Sequence, residues 1–196
     1  LRENIEKALK VASLIACLLI PPLFALGEDI GILLFSSEHG GEIIRNCCFM
    51  LFPMSLGMIS NSILNSLGYE KQTCAYFFIG AAATLLCVWF LPQIVGIYAL
   101  MIGMTASHII TTLLDLRLIA KKSKEKVRFC KHTLLSAISI PPAILFGCLL
   151  RNVLTAILPS LAAIILCGVI LLIAQGLLLA VIGLAQPRWI RVLIRR

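Results

Sequence analysis

The chain has 196 residues, of which 60% are hydrophobic and only 13% are Asp, Glu, Lys or Arg, with a mean hydropathy of +1.03. A water-soluble domain carries about a quarter charged residues, so a soluble enzyme is excluded, and disordered and collagen-like chains fail on the same arithmetic. The net charge of +8 would raise nucleic-acid binding in a soluble protein, but in a membrane protein it reflects basic loops retained on one side.

Six apolar runs approach the roughly 20 residues that a bilayer-spanning helix needs. They predict an all-α, polytopic helical membrane bundle with six transmembrane helices and no room for an extramembrane catalytic domain. Residues 1–10 mix Glu3 and Glu6 with Arg2, Lys7 and Lys10, which suits the middle of a longer protein better than a signal peptide. The first span, 8–27, contains Pro21-Pro22 and should kink there. Residues 28–43 hold Glu28, Asp29, Glu38, His39 and Glu42, and their apolar stretch 30–35 is too short to cross and is expected at the interface. The second span, 44–67, stops at Gly68. The third is 73–91 and the fourth 97–119, and together these four form residues 1–119 of a bundle. A basic loop, 120–132, follows. Two additional spans within 133–184, at 133–150 with Pro141-Pro142 and at 161–184, precede a basic tail, 185–196, in which Trp189 among Arg188, Arg191, Arg195 and Arg196 makes an interfacial anchor.

With six crossings, 15 of the Lys and Arg residues fall on the side of both termini and only Arg45 and Arg151 on the other. The positive-inside rule then places both termini in the cytoplasm, in a multi-pass cytoplasmic-membrane protein. Membrane lipids are the surrounding partner, the 120–132 loop is a candidate for anionic headgroups, and no nucleic-acid partner is expected. Of the eight cysteines, all but Cys130 lie in apolar runs and none forms a C-x-x-C pair, a pattern of packing residues and not of a disulfide framework or zinc site. Cys130 and His132 supply too few ligands for zinc. No metal site and no cofactor is expected.

Polar side chains within spans are costly and face a bundle interior or a water-filled cavity. The second span carries Pro53, Gly57, Asn61 and Asn65 at i, i+4 spacing, with Ser62 among the flanking serines. The fourth carries Thr105, His108, Thr112 and Asp115. Asn61, Asn65, Ser62, His108, Thr112 and Asp115 are therefore candidate pathway-lining residues. The competing reading, weighted more heavily for the Asn stripe, is helix-packing glue. His108 and Asp115, two turns apart on one face, suit a proton relay, although Asp115 also lies close enough to Arg117 for an ordinary interfacial ion pair. No G-x-S-x-G, Gly-rich phosphate loop or H-E-x-x-H occurs, so no catalytic residue is assigned. Glu28, Asp29, Glu38, His39 and Glu42 keep open an integral-membrane enzyme of lipid or glycan assembly.

Three stretches carry a resemblance: Ala8-Leu9-Lys10 leading to Ile20-Pro21-Pro22 and Ile32-Leu33-Leu34-Phe35; Ile63-Leu64-Asn65-Ser66-Leu67-Gly68-Tyr69-Glu70-Lys71-Gln72; and Gly96-Ile97-Tyr98-Ala99-Leu100-Met101-Ile102-Gly103 running to Leu118-Ile119-Ala120-Lys121-Lys122. In this order the chain resembles the C-terminal part of the polysaccharide flippases of the multidrug/oligosaccharidyl-lipid/polysaccharide exporter superfamily, most closely the stage V sporulation protein B type. The resemblance implies the last six of about fourteen helices of a MATE-like flippase. It also implies alternating access, a lipid-linked oligosaccharide or polysaccharide precursor as substrate, and N-terminal helices of the same protein as partner. That family's cationic cavity residues lie mostly in helices upstream of this stretch, none transfers to a numbered position, and the stretch alone is expected to be inactive. A cation-coupled multidrug exporter of the same superfamily is the nearest alternative.

Overall fold

The structure is a computed structural model that describes residues 2–36, 38–122, 136–157 and 160–181. Most of the basic loop and the whole 185–196 tail, including Cys130, His132 and Trp189, lie outside the described residues. The elements are α1 (Arg2–Phe35), α2 (Glu38–Cys47), a 3-10 turn (Cys48–Met50), α3 (Leu51–Ser66), α4 (Glu70–Phe90), α5 (Pro92–Val95), α6 (Tyr98–Lys122), α7 (Ile140–Ile157) and α8 (Ser160–Val181). No strand occurs among the described residues. Six helical stretches are long and apolar enough to cross a bilayer: Asn4–Phe35, His39–Ser66, Glu70–Phe90, Tyr98–Lys122, Ser136–Thr155 and Leu161–Val181. Phe77, Phe78, Leu85 and Trp89 of α4 and Leu161, Ile165, Ile173 and Leu177 of α8 are exposed. In water such a surface would drive association; against lipid tails it carries no penalty.

The first helix differs from expectation. It runs unbroken through Glu28 and Asp29 to Phe35, so residues 30–35 extend the helix and do not form a separate interfacial piece. Nothing in 28–35 breaks a helix, and the chain turns only at Ser36, whose φ is 50°. At 1.5 Å per residue such a helix is roughly 50 Å long, well beyond a bilayer's hydrocarbon thickness. The second crossing likewise starts earlier than residue 44, because α2 leads through the 3-10 turn into α3.

The two proline pairs play different parts. Pro141 and Pro142 fall in the first turn of α7, where the missing N–H groups have no helical acceptor in any case. The chain enters α7 through a turn in which Ser139 donates its N–H to Ser136 O at 3.1 Å. Pro21 and Pro22 sit inside α1, where they withdraw the i+4 donors from Cys17 O and Leu18 O.

The chain forms two compact units, one of residues 2–12 and 50–122 and the other of 13–49 and 136–181. In the first, α6 lies along both α3 and α4, and Ile5, Leu9, Leu56, Leu64 and Ile119 form its core. The α4–α6 approach depends on small residues: a Cβ on Gly80 would stand 2.6 Å from Ser107 Oγ and Thr111 Cγ2. Gly68, at φ 80°, ends α3, and the Tyr69 N–H returns to Leu64 O at 2.9 Å, the left-handed cap the sequence signals there. In the second unit α7 lies along α8, and Ala25, Leu26, Cys167 and Leu171 form the core. There α1 and α2 cross at glycines, Gly31 against the backbone of Gly41 and Gly27 against that of Arg45.

Candidate functional site

Each unit contains polar side chains on its long apolar helices, and in each some of their polar atoms are hydrogen-bonded and others have no partner among the described residues. In the first unit the seam is between α3 and α6. Thr112 donates its hydroxyl to Pro53 O at 2.9 Å. Gly57 makes room for it, since a Cβ there would lie 2.6 Å from Thr112 Oγ1. One turn further along each helix, Asp115 is 3% exposed and Ser60 fully buried. Neither Asp115 Oδ1 nor Ser60 Oγ has a hydrogen-bond partner among the described residues. Replacing Thr112 with valine should therefore lower stability by about 1 kcal/mol, the net value of one such bond, and thermal unfolding in detergent micelles would read it.

The asparagine stripe has another role. Asn65 donates through Nδ2 to Asn61 Oδ1 at 2.7 Å, and Thr73 of α4 donates to Asn65 Oδ1 at 2.8 Å. Asn61 and Asn65 thus clamp α3 to the start of α4. Ser62 is exposed and His108 half-buried. Of the six candidate lining residues, then, Thr112 and Asp115 lie in the α3–α6 seam, Asn61 and Asn65 belong to the α3–α4 clamp, and Ser62 and His108 join neither.

In the second unit four charged side chains form one network. Arg151 of α7 makes a two-pronged contact with Asp29 of α1, Nε to Oδ2 at 2.6 Å and Nη2 to Oδ1 at 2.8 Å, and its Nη1 donates to Glu28 Oε2 at 2.9 Å. Arg45 of α2 donates to Glu28 Oε1 at 2.8 Å, and its guanidinium lies 4.4 Å from the centre of the Phe24 ring. The two basic residues set apart by charge counting are therefore both engaged by Glu28 and Asp29. The sequence held a signal for this: two anions and two cations at span ends assigned to the same side. It offered no sign that Asp29 and Arg151, 122 residues apart, would pair.

Gln175 of α8 was also missed. It is 2% exposed, and its Nε2 donates to Cys17 O at 3.3 Å and to Ser139 Oγ at 3.1 Å. Cys17 O is a carbonyl that Pro21 deprives of its helical donor, so a side chain from another span supplies what the proline removes. The available signal was an amide in an otherwise apolar run. Among the described residues no group of three or more His, Cys, Asp and Glu could hold a metal ion. Comparison with protein families, curated proteins and solved structures finds no match to the chain.

Proposed function

We propose that the chain is part of a membrane transporter that flips or exports a lipid-linked oligosaccharide or polysaccharide precursor across the cytoplasmic membrane by alternating access. In this reading it is the C-terminal portion of a fourteen-helix, MATE-like flippase that works with its own upstream helices. The observation that carries a transport reading is the set of polar atoms buried in spans without a partner among the described residues, Ser60 Oγ, Asp115 Oδ1 and Gln175 Oε1. Groups of this kind are expensive inside a bilayer and mark ion or substrate pathways, whereas a polar group that only holds helices together makes its bond to the neighbouring span. The ion network adds support for the topology. It joins the acidic pair after the apolar part of α1 to a residue near the end of α7, as odd-numbered crossings ending on one face require. It also neutralises the only two basic residues assigned to the non-cytoplasmic side. Both termini in the cytoplasm follow from the positive-inside rule. The glycan as substrate rests on the sequence resemblance.

Burial of Asp115 favours one second reading, a cation-coupled multidrug exporter of the same superfamily. The experiment is reconstitution of the full-length protein in vesicles with a fluorescent lipid-linked oligosaccharide, scoring its accessibility to a membrane-impermeant quencher. Faster equilibration between leaflets than in empty vesicles is expected. Export of cationic dyes without glycan movement would select the second reading, and covalent alteration of the substrate would replace both with an enzyme of lipid or glycan assembly. In the same assay Asn61→Leu should leave flipping intact while stability falls by about 1 kcal/mol, because Asn61 is held by Asn65 within the α3–α4 clamp. Loss of flipping at unchanged stability would return the stripe to the pathway.

A further inference from the structure

The second unit brings two opened pieces of backbone to one buried amide. Inside α1, Pro21 leaves Cys17 O without its i+4 donor. Just before α7 the helix is broken at Ser139, which donates both its N–H and its hydroxyl to Ser136 O, the latter at 2.7 Å. Ser13, Ser136 and Ser139 are all buried, so three hydroxyls lie within this part of the unit's interior. Gln175 reaches Cys17 O and Ser139 Oγ from α8 through a single nitrogen, over bonds at the long end of the hydrogen-bond range. Its Oε1 is buried and has no partner among the described residues.

A carboxamide turned half a revolution about its last bond exchanges its oxygen and nitrogen. In that state Gln175 Oε1, Cys17 O and Ser139 Oγ face one another. There the Ser139 hydroxyl can still donate to Gln175 Oε1, but Cys17 O has lost its amide donor and faces another carbonyl-type oxygen, an approach that is unfavourable in an apolar interior unless a cation, or a water donating to both, lies between. The set is neutral and made of carbonyl, amide and hydroxyl oxygens. That excludes a thiophilic metal and gives magnesium or calcium none of the carboxylates they normally require. It suits a small monovalent cation, and helices interrupted at mid-membrane use freed carbonyls in this way.

We propose that Cys17 O, Ser139 Oγ and Gln175 Oε1 form a binding site for a monovalent cation of sodium's class, with rotation of the Gln175 amide as the change that admits the ion. Emptied, the amide presents its nitrogen and bonds α8 to α1 and to Ser139; filled, it presents its oxygen and the ion makes those links. The site does not depend on the transport reading, since a cation can be bound here whether or not a lipid-linked glycan is moved.

The test is thermal unfolding of the full-length protein in detergent micelles as sodium chloride replaces choline chloride at constant ionic strength. A saturable rise in Tm of about 3 °C or more is expected, as ligand binding to the folded state alone requires. The rise should vanish in Ser139→Ala, which removes one ligand and a single hydroxyl, and in Gln175→Leu. If Gln175→Leu does not fold, Ser139→Ala decides. No sodium-specific rise in the unaltered protein would overturn the proposal and leave water as the occupant. An equal rise in Ser139→Ala would overturn it by placing sodium elsewhere.

Discussion

Replacing Arg151 with methionine should lower the unfolding free energy by about 2 kcal/mol and Tm by roughly 6 °C, because the substitution leaves Asp29 and Glu28 without their main counter-ion. Removing one partner of a fully buried pair costs more. Here the side chains of Arg151 and Asp29 are 25% and 18% exposed, so part of the desolvation is relieved by solvent and the effect is reduced accordingly. Lysine should not rescue. One ammonium cannot reproduce the parallel contacts to both Asp29 oxygens while also reaching Glu28. A cycle of Arg151→Met with Asp29→Asn should give a coupling of about 1 kcal/mol, and the double variant should be less impaired than the sum of the singles. Arg151→Met within about 0.5 kcal/mol of the unaltered protein would show that the network contributes nothing.

How far the sequence foretells these groups depends on the range over which each is specified. Apolar runs and the stop at Gly68 are local properties, and six crossing-length helices appear where six runs stand. The charges of Glu28 and Asp29 suggest an end to the first span at Gly27, yet α1 continues to Phe35. Glu28 and Asp29 are instead accommodated within the helix by Arg45 and Arg151, which come from α2 and α7. Such pairings leave no periodic trace.

The polar stripe illustrates the same limit. Residues at strict i, i+4 spacing drift by about 40° per step around a helix of 3.6 residues per turn. Pro53 and Gly57 thus meet Thr112 of α6, whereas Asn65, turned progressively away and braced by Asn61, reaches Thr73 of α4. On α6 the spacing from Thr105 to Asp115 alternates three and four, which holds one face, and Thr112 and Asp115 are buried together in the α3–α6 seam. A stripe drawn on one helix can therefore serve two neighbours, and only the packing reveals where it divides.

The α1–α2 crossing gives the largest steric effect. Gly31→Ala should lower stability by about 3 kcal/mol, or sharply reduce folded yield, since the added Cβ would overlap the backbone of Gly41. Gly41→Ala should behave alike, because its Cβ would stand 2.5 Å from Glu28 Cα. In both cases the obstacle is main chain and not the free end of a side chain, so relief requires moving one helix away from the other. The contrast is Gly176→Ala on α8, whose Cβ would meet only Leu18 Cδ1 at 4.0 Å. There alanine's better helix propensity should leave stability unchanged or raised by about 0.5 kcal/mol. Separation of α1 from α2 would also draw Arg45 away from Glu28, so Gly31→Ala and Arg45→Met should cost less together than the sum of their separate effects. Strict additivity would mean that the glycine contact and the ion network are independent. A Gly31→Ala protein as stable as the unaltered one would mean that α2 does not lie against α1 at all.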